Sequence, residues 1–128
     1  MAAQALNGSR RGPHRGKPGE SLACEHLAKS GLRILARNFR TRAGEIDVVA
    51  DDRGTLVFVE VKERRDESHG KAVEAVTAEK QRRVVRAARL YAASHGLSES
   101  PVRFDVIAID WGLEGPRLRH ERGAFTAG

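Results

Sequence analysis

The chain has 128 residues, 40% of them hydrophobic and 31% charged, with 23 Lys and Arg against 17 Asp and Glu for a net charge of +6. That is the length of one ordinary domain, with enough apolar material for a packed core, so wholesale disorder is excluded. The single Cys24 excludes an internal disulfide framework and a thiolate-rich zinc site, and no apolar run approaches the roughly 20 residues that span a bilayer.

No apolar run near the N-terminus resembles a secretory signal, so a cytoplasmic location and no membrane partner are expected. The cationic excess points to a polyanion, above all nucleic acid. Residues 1–17 carry Arg10, Arg11, Arg15 and Lys17 among glycines, with little apolar beyond Leu6. They read as a disordered basic tail, or as an arm adding affinity for a phosphate backbone. Residues 18–128 read as one domain.

The pattern turns helical at Pro18, with Glu20 in the first turn, Leu22, Ala23 and Leu27 as an apolar stripe, and Ser30-Gly31 as the stop. Leu32 to Arg40 reads as a strand. Glu45 to Ala50 alternates, placing Ile46, Val48 and Ala50 on one face and Glu45, Asp47 and Val49 on the other. Asp51 to Gly54 is turn chemistry. Leu56 to Lys62, apolar on both faces, belongs in the middle of a covered sheet. Arg64 to Gly70 is a polar loop. Thr77 is the N-cap of a long helix ending at His95-Gly96, with Val84, Val85, Ala88 and Ala92 facing the sheet. Val102 to Asp110 is a further strand, and 117–121 a short last one leading to Ala124-Phe125. The order, helix, three strands, helix, strand and a final short strand, defines an α/β (α+β) fold with a mixed central sheet flanked by helices.

Glu60 and Lys62 leave the same face of the central strand, beside apolar Leu56 and Phe58. Charges there cost desolvation unless the strand is simply leaving the core at that end. Asp47 weighs against the simpler explanation. With a four-residue loop over Asp52 to Thr55, Asp51 pairs with Leu56, Val49 with Phe58 and Asp47 with Glu60. A five-residue loop sends Asp47 to the opposite face. The first register, or a bulge with the same effect, is the one expected. Two carboxylates at about 5 Å repel by roughly 3 kcal/mol at an effective dielectric near 20. Proton sharing, a neighbouring cation such as Lys62, or a divalent metal relieves that repulsion. All-oxygen ligands favour Mg²⁺ or Mn²⁺. Either Glu20 or Glu25 is available from the first helix, and spacing does not choose between them.

Gly44-Glu45-Ile46-Asp47 followed by Val59-Glu60-Val61-Lys62 resembles the D…(D/E)-x-K core of the PD-(D/E)XK nucleases. More closely, the chain resembles the YraN-like family of predicted bacterial endonucleases akin to Holliday junction resolvases. The matching stretches also include Gly19-Glu20, Arg37-Asn38, Arg64, Ala75-Val76, Lys80, Arg103-Phe104-Asp105 and Ala124-Phe125. Ile46 stands where the superfamily pattern has Pro. The resemblance implies a restriction-endonuclease-like core. It assigns metal binding to Asp47, Glu60 and the Val61 carbonyl, makes Glu20 the helix carboxylate that either hydrogen-bonds a metal-bound water or binds a metal itself, and has Lys62 assist the attacking water. Glu45 is either an outer partner of that set or a solvated charge at the strand end.

Arg82, Arg86 and Arg89 recur at helical spacing, with Arg83 beside them and Lys80 a turn earlier. Such a face is commonly just solvated. With few acidic partners nearby and a positive chain, it reads here as a phosphate-contacting surface, together with Arg64. Six aromatics in the whole chain give no stacking platform of the single-strand-binding kind. His14, His26, His69, His95 and His120 have no metal-site or triad spacing and read as surface or cap residues. The expected function is metal-dependent hydrolysis of structured or branched DNA, with DNA favoured over RNA. A homodimer is expected where paired cuts are made. The alternative is a non-catalytic nucleic-acid-binding module on the same fold.

Overall fold

The computed structural model describes residues 18–65 and 71–128; the N-terminal tail and residues 66–70 of the polar loop lie outside the described residues. Helix α1 (Pro18–Lys29) has Glu20 in its first turn, where the helix dipole favours a carboxylate. It stops where Ser30-Gly31 predicts. Gly31, at φ 95°, donates to the Ala28 carbonyl, and the Leu32 N–H reaches back to Leu27. This left-handed cap brings Leu27 and Leu32 into one buried cluster.

Among the described residues, one five-stranded sheet runs in chain order through β1 (Arg33–Arg40), β2 (Glu45–Asp52), β3 (Thr55–Arg64), β4 (Val102–Gly112) and β5 (Gly115–Phe125). Neighbours are antiparallel except β3 and β4, which are parallel. A parallel neighbour needs a crossover, supplied here by a 3-10 turn (Ala72–Ala75) and α2 (Ala78–Ser94). Thr77 caps α2 by accepting the Lys80 N–H at 3.1 Å. The last strand is much longer than the expected 117–121, because an edge strand open to water keeps no apolar alternation to betray its ends.

The sheet is buried on both faces. Against α2 lie Val49, Leu56, Phe58 and Phe104, with Val84, Val85, Ala88 and Ala92 opposing them as their spacing predicts. Against α1 lie Val48, Ala50, Val57, Val59, Val61, Ile107 and Ile109. The β2–β3 register is the expected one, with Asp51 opposite Leu56 and Val49 opposite Phe58. Its loop is shorter than expected, however. Asp52 pairs with Thr55, leaving Arg53 (φ 52°) and Gly54 (φ 98°) as a two-residue turn. Ile46 also departs from expectation. It packs with Val49 in the α2-side cluster, so strand alternation fails between Ile46 and Val48, at Asp47.

Candidate active site

That failure of alternation falls at the end of the β2–β3 ladder. The last laddered pair is Val48 with Val59, so Asp47 and Glu60 lie just past the ladder, close enough for the Asp47 charge to act on Glu60. The Val61 N–H donates to Asp47 Oδ2 at 2.8 Å. Because the N–H and C=O of one strand residue leave the same edge, the Val61 carbonyl is directed into the gap that Asp47 occupies. On the other side of Asp47, β1 places Asn38, whose φ of 53° is a left-handed conformation inside a strand. Asn tolerates that region better than most residues, and a strand residue held there bends its neighbours out of the regular pleat. The sheet therefore opens around Asp47.

Both carboxylates are buried, Asp47 at 6% and Glu60 at 5% exposure. Burial, followed by the Asp47 charge, pushes Glu60 from about 4.5 up to about 7, against the pull of Lys80 and Lys62. Lys80 Nζ, from the first turns of α2, lies 3.6 Å from Glu60 Oε2. The other oxygen, Glu60 Oε1, is buried with no hydrogen-bond partner among the described residues. A buried carboxylate oxygen left in that condition costs free energy that an incoming cation recovers. The donor set of Asp47, Glu60 and a backbone carbonyl is all oxygen, which fits a hard divalent ion.

Glu20 is also buried, at 2% exposure. Its Oε1 accepts from Asn38 Nδ2 at 3.0 Å and lies 3.7 Å from the Arg37 guanidinium. Among the described residues no three Asp, Glu, His or Cys side chains converge closely enough to cage a metal. Glu20 is held by Asn38, the β1 residue of left-handed backbone conformation. Glu25 is exposed on α1. Lys62 is exposed beside Glu60, and Glu45 is a half-exposed strand-end charge 3.5 Å from Arg40.

Two close approaches set these elements. A Cβ on Gly44 would sit 3.0 Å from Arg83 Cβ and 3.1 Å from the Arg83 carbonyl oxygen, so the glycine lets α2 close over the start of β2. Near the α1 N-terminus, the Gly19 N–H donates to Glu63, whose other oxygen accepts from the Trp111 indole at 2.8 Å.

Of the cationic residues singled out by spacing, Arg82, Arg86 and Arg89 are exposed along α2, and Arg83 pairs with Glu79 at 3.1 Å. Lys80 turns to Glu60 rather than lying simply on the outer surface. Arg64 is a correction: its guanidinium grips Asp110 through two bonds, of 2.7 and 3.3 Å, and is mostly buried. It is committed to the sheet rather than offered to phosphate.

Sequence reasoning missed Asn38 as a site residue, although an Asn in the middle of a strand run is itself a signal of irregular backbone. It also misread two histidines. His120 Nε2 contacts Asp105 Oδ2 at 2.8 Å, and its Nδ1 faces His26 Nε2 at 3.0 Å. Asp105, fully buried, also takes Arg103 and the Gly123 N–H. Burial alone would raise its pKa, but these hydrogen bonds outweigh it and hold the carboxyl below its usual value. No spacing in the sequence connects residues 26, 105 and 120; only the fold does. His95 is a cap as expected, closing α2 on the Tyr91 carbonyl.

A mixed sheet between two helices, opened at its middle strands around paired acids, defines the molecule's class. Residues 19–109 match the model of the uncharacterised protein family UPF0102, and the chain belongs to that family, the one described above as YraN-like. It is 55% identical over 113 residues to UPF0102 protein STH1475 of Symbiobacterium thermophilum, covering 88% of this chain and 96% of the relative. A UPF0102 protein of Anaeromyxobacter dehalogenans is 48% identical over 110 residues, covering 86% and 82%. Another from Stutzerimonas stutzeri is 44% identical over 113 residues, covering 88% and 94%. Among the described residues, no helix is long and apolar enough to cross a membrane.

Proposed function

We propose that this chain hydrolyses nucleic-acid phosphodiester bonds, DNA before RNA, with Mg²⁺ or Mn²⁺ held in a PD-(D/E)XK-type site. The observation that carries the reading is Glu60 Oε1, a buried carboxylate oxygen without a hydrogen-bond partner, beside a second buried carboxylate. Asp47, Glu60 and the Val61 carbonyl would hold the ion. When bound, it supplies Lewis-acid charge at the phosphate and an activated water near neutral pH. Lys62, at the exposed mouth on the same face as Glu60, orients the attacking water and offsets negative charge developing on the phosphate. Lys80 keeps Glu60 ionisable in a buried setting, and Glu20 with Asn38 fixes the backbone around Asp47. The exposed arginines of α2 bind the substrate backbone. Branched DNA is the favoured substrate, and paired cuts at a junction imply two copies of the chain.

A second reading, a non-catalytic nucleic-acid-binding module, draws support from Lys80 already standing beside Glu60, where it partly neutralises the carboxylate. One assay separates them. Single-stranded, duplex, flap and four-way-junction DNA are offered with Mn²⁺ or Mg²⁺ to the wild type and to Glu60→Ala. Cleavage abolished by the variant is the expected result. Equal background in both proteins, with folding and salt-sensitive DNA binding intact, would establish the binding module instead.

A further inference from the structure

Outside the candidate active site the described residues hold a half-open cavity of about 360 Å³ that the proposed mechanism does not use. Its walls are Val85, Ala88 and Ala92 of α2 together with Val102, Phe104 and Phe125 of the sheet. Arg89 and Arg103 are its charged lining residues, and no acidic residue lines it. The two arginines are not equivalent. Arg103 is bound to Asp52 and Asp105, whereas Arg89 is exposed and has no ion-pair partner among the described residues. The cavity therefore suits a ligand with an apolar, planar body and an anionic group beside it.

Its position narrows the choice. Arg82, Arg86 and Arg89 follow one another at i, i+4 and i+7 on α2, so the cavity mouth is the end of a line of three exposed cations. The same helix carries Lys80 beside Glu60 at its other end. Nine residues of helix from Lys80 to Arg89 span about 14 Å. A stacked strand rises about 3.4 Å per nucleotide, so this is the length of about four nucleotides. A repeating polyanion uses all three arginines, while a peptide carboxylate needs only the last. Building on the proposed function, we infer that the cavity receives a nucleobase turned out of a helix, with its phosphate on Arg89. The substrate class is thus duplex DNA bearing an unpaired base a few nucleotides from the bond that is cut. Phe104 and Phe125, whose rings stack at 5.1 Å, form the apolar end of the cavity. The Ser98 and Thr126 side chains supply hydroxyls for the base edge.

The test reads binding in chelator, without cleavage, so a chain that hydrolyses nothing can still satisfy it. Fluorescence anisotropy compares a perfect duplex, the same duplex with one extra nucleotide bulged out, and that bulge with its base removed. The bulge is expected to bind about tenfold tighter than the other two. Thr126→Trp places a large ring at an exposed wall position. It is expected to erase the difference. The methyl resonances of Ala88 and Ala127 are expected to shift with the bulge and not with its abasic form. Equal affinity for the bulge and the abasic bulge would overturn the inference, since backbone flexibility alone would then explain binding. Methyl shifts produced by an acidic, Phe-ended peptide and not by bulged DNA would also overturn it, assigning the cavity to a protein ligand. Failure of the Glu60→Ala cleavage test would leave a positive result here standing.

Discussion

Glu60 carries an electrostatic cost in the candidate site, and its sign is unusual for a carboxylate. Its folded value near 7 lies above its ordinary 4.5, first because of burial and then because of Asp47. Between those two pH values the folded chain binds a proton that the unfolded chain has released. Stability therefore falls as pH rises from about 4.5 to about 7 and is fully reduced above that. Glu60→Gln removes the charge and keeps the shape. In chelator at pH 8 the variant is expected to be more stable than the wild type by up to about 3 kcal/mol, with the gap closing near pH 5. Thermal melts at the two pH values check this; a difference independent of pH would show that packing, not ionisation, is responsible. Added Mn²⁺ should raise the melting temperature of the wild type alone, because only the wild type offers the second carboxylate. Below pH 7 binding must displace the Glu60 proton, so the affinity for Mn²⁺ should rise up to tenfold per unit there and level off above. Asn38 belongs to the same scale: a left-handed residue at the point where the sheet opens is strain located beside chemistry.

At the scale of elements, the site exists because β2 and α2 meet at Gly44. Its missing Cβ is what allows the Arg83 backbone so close, and Arg83 sits one turn after Lys80. Gly44→Ala should push α2 outward, cost about 1–3 kcal/mol of stability and loosen the Lys80 contact with Glu60. Gly31 provides the comparison. A Cβ there meets open space, so Gly31→Ala carries only the penalty of its φ of 95°, about 1 kcal/mol, and should leave Mn²⁺ affinity unchanged. Equal Mn²⁺ affinity in both variants and the wild type would separate α2 placement from the site. The elements themselves were legible where one physical signal dominates. Thr77 marked the start of α2, Gly31 the end of α1, and the apolar run through Phe58 the buried centre. The β2–β3 register through Val49 and Phe58 followed from counting turn residues, even though the turn has two residues rather than four. Legibility ended where tertiary contacts override local pattern. Ile46 left its alternation beside Asn38, a left-handed residue in the neighbouring strand, Arg64 found Asp110 on the adjacent strand, and β5 is polar because it is an edge. Glu20 was visible as an acidic first-turn residue, but its hydrogen bond with Asn38 is one that no spacing encodes.

Across the whole molecule, a net charge of +6 does not by itself say where a polyanion lies, because many of the cations are spent internally. Arg103 holds Asp52 and Asp105, Arg64 holds Asp110, and Lys80 faces Glu60. Among the described residues, Arg82, Arg86 and Arg89 form an exposed line on α2 that leads from Lys80 at the acidic pair toward the apolar cavity. Salt dependence distinguishes a cation that touches phosphate from one that merely raises the net charge. Each phosphate contact releases condensed counterions and steepens the fall of log K with log salt by about 0.9 for duplex DNA. The double variant Arg82→Ala/Arg86→Ala should thus flatten that slope by about 2 and weaken binding to all duplex sequences alike. Arg64→Ala removes the same kind of charge from the chain, but from a buried pair with Asp110. It is expected to lower stability and leave the slope unchanged in the fraction that remains folded. Slopes measured by anisotropy over a range of KCl concentrations check both variants. If Arg64→Ala flattened the slope as much per charge as the α2 variants, net charge would be acting at a distance. The exposed face of α2 would then lose its claim to the substrate, and the path from Glu60 to the cavity would lose its middle.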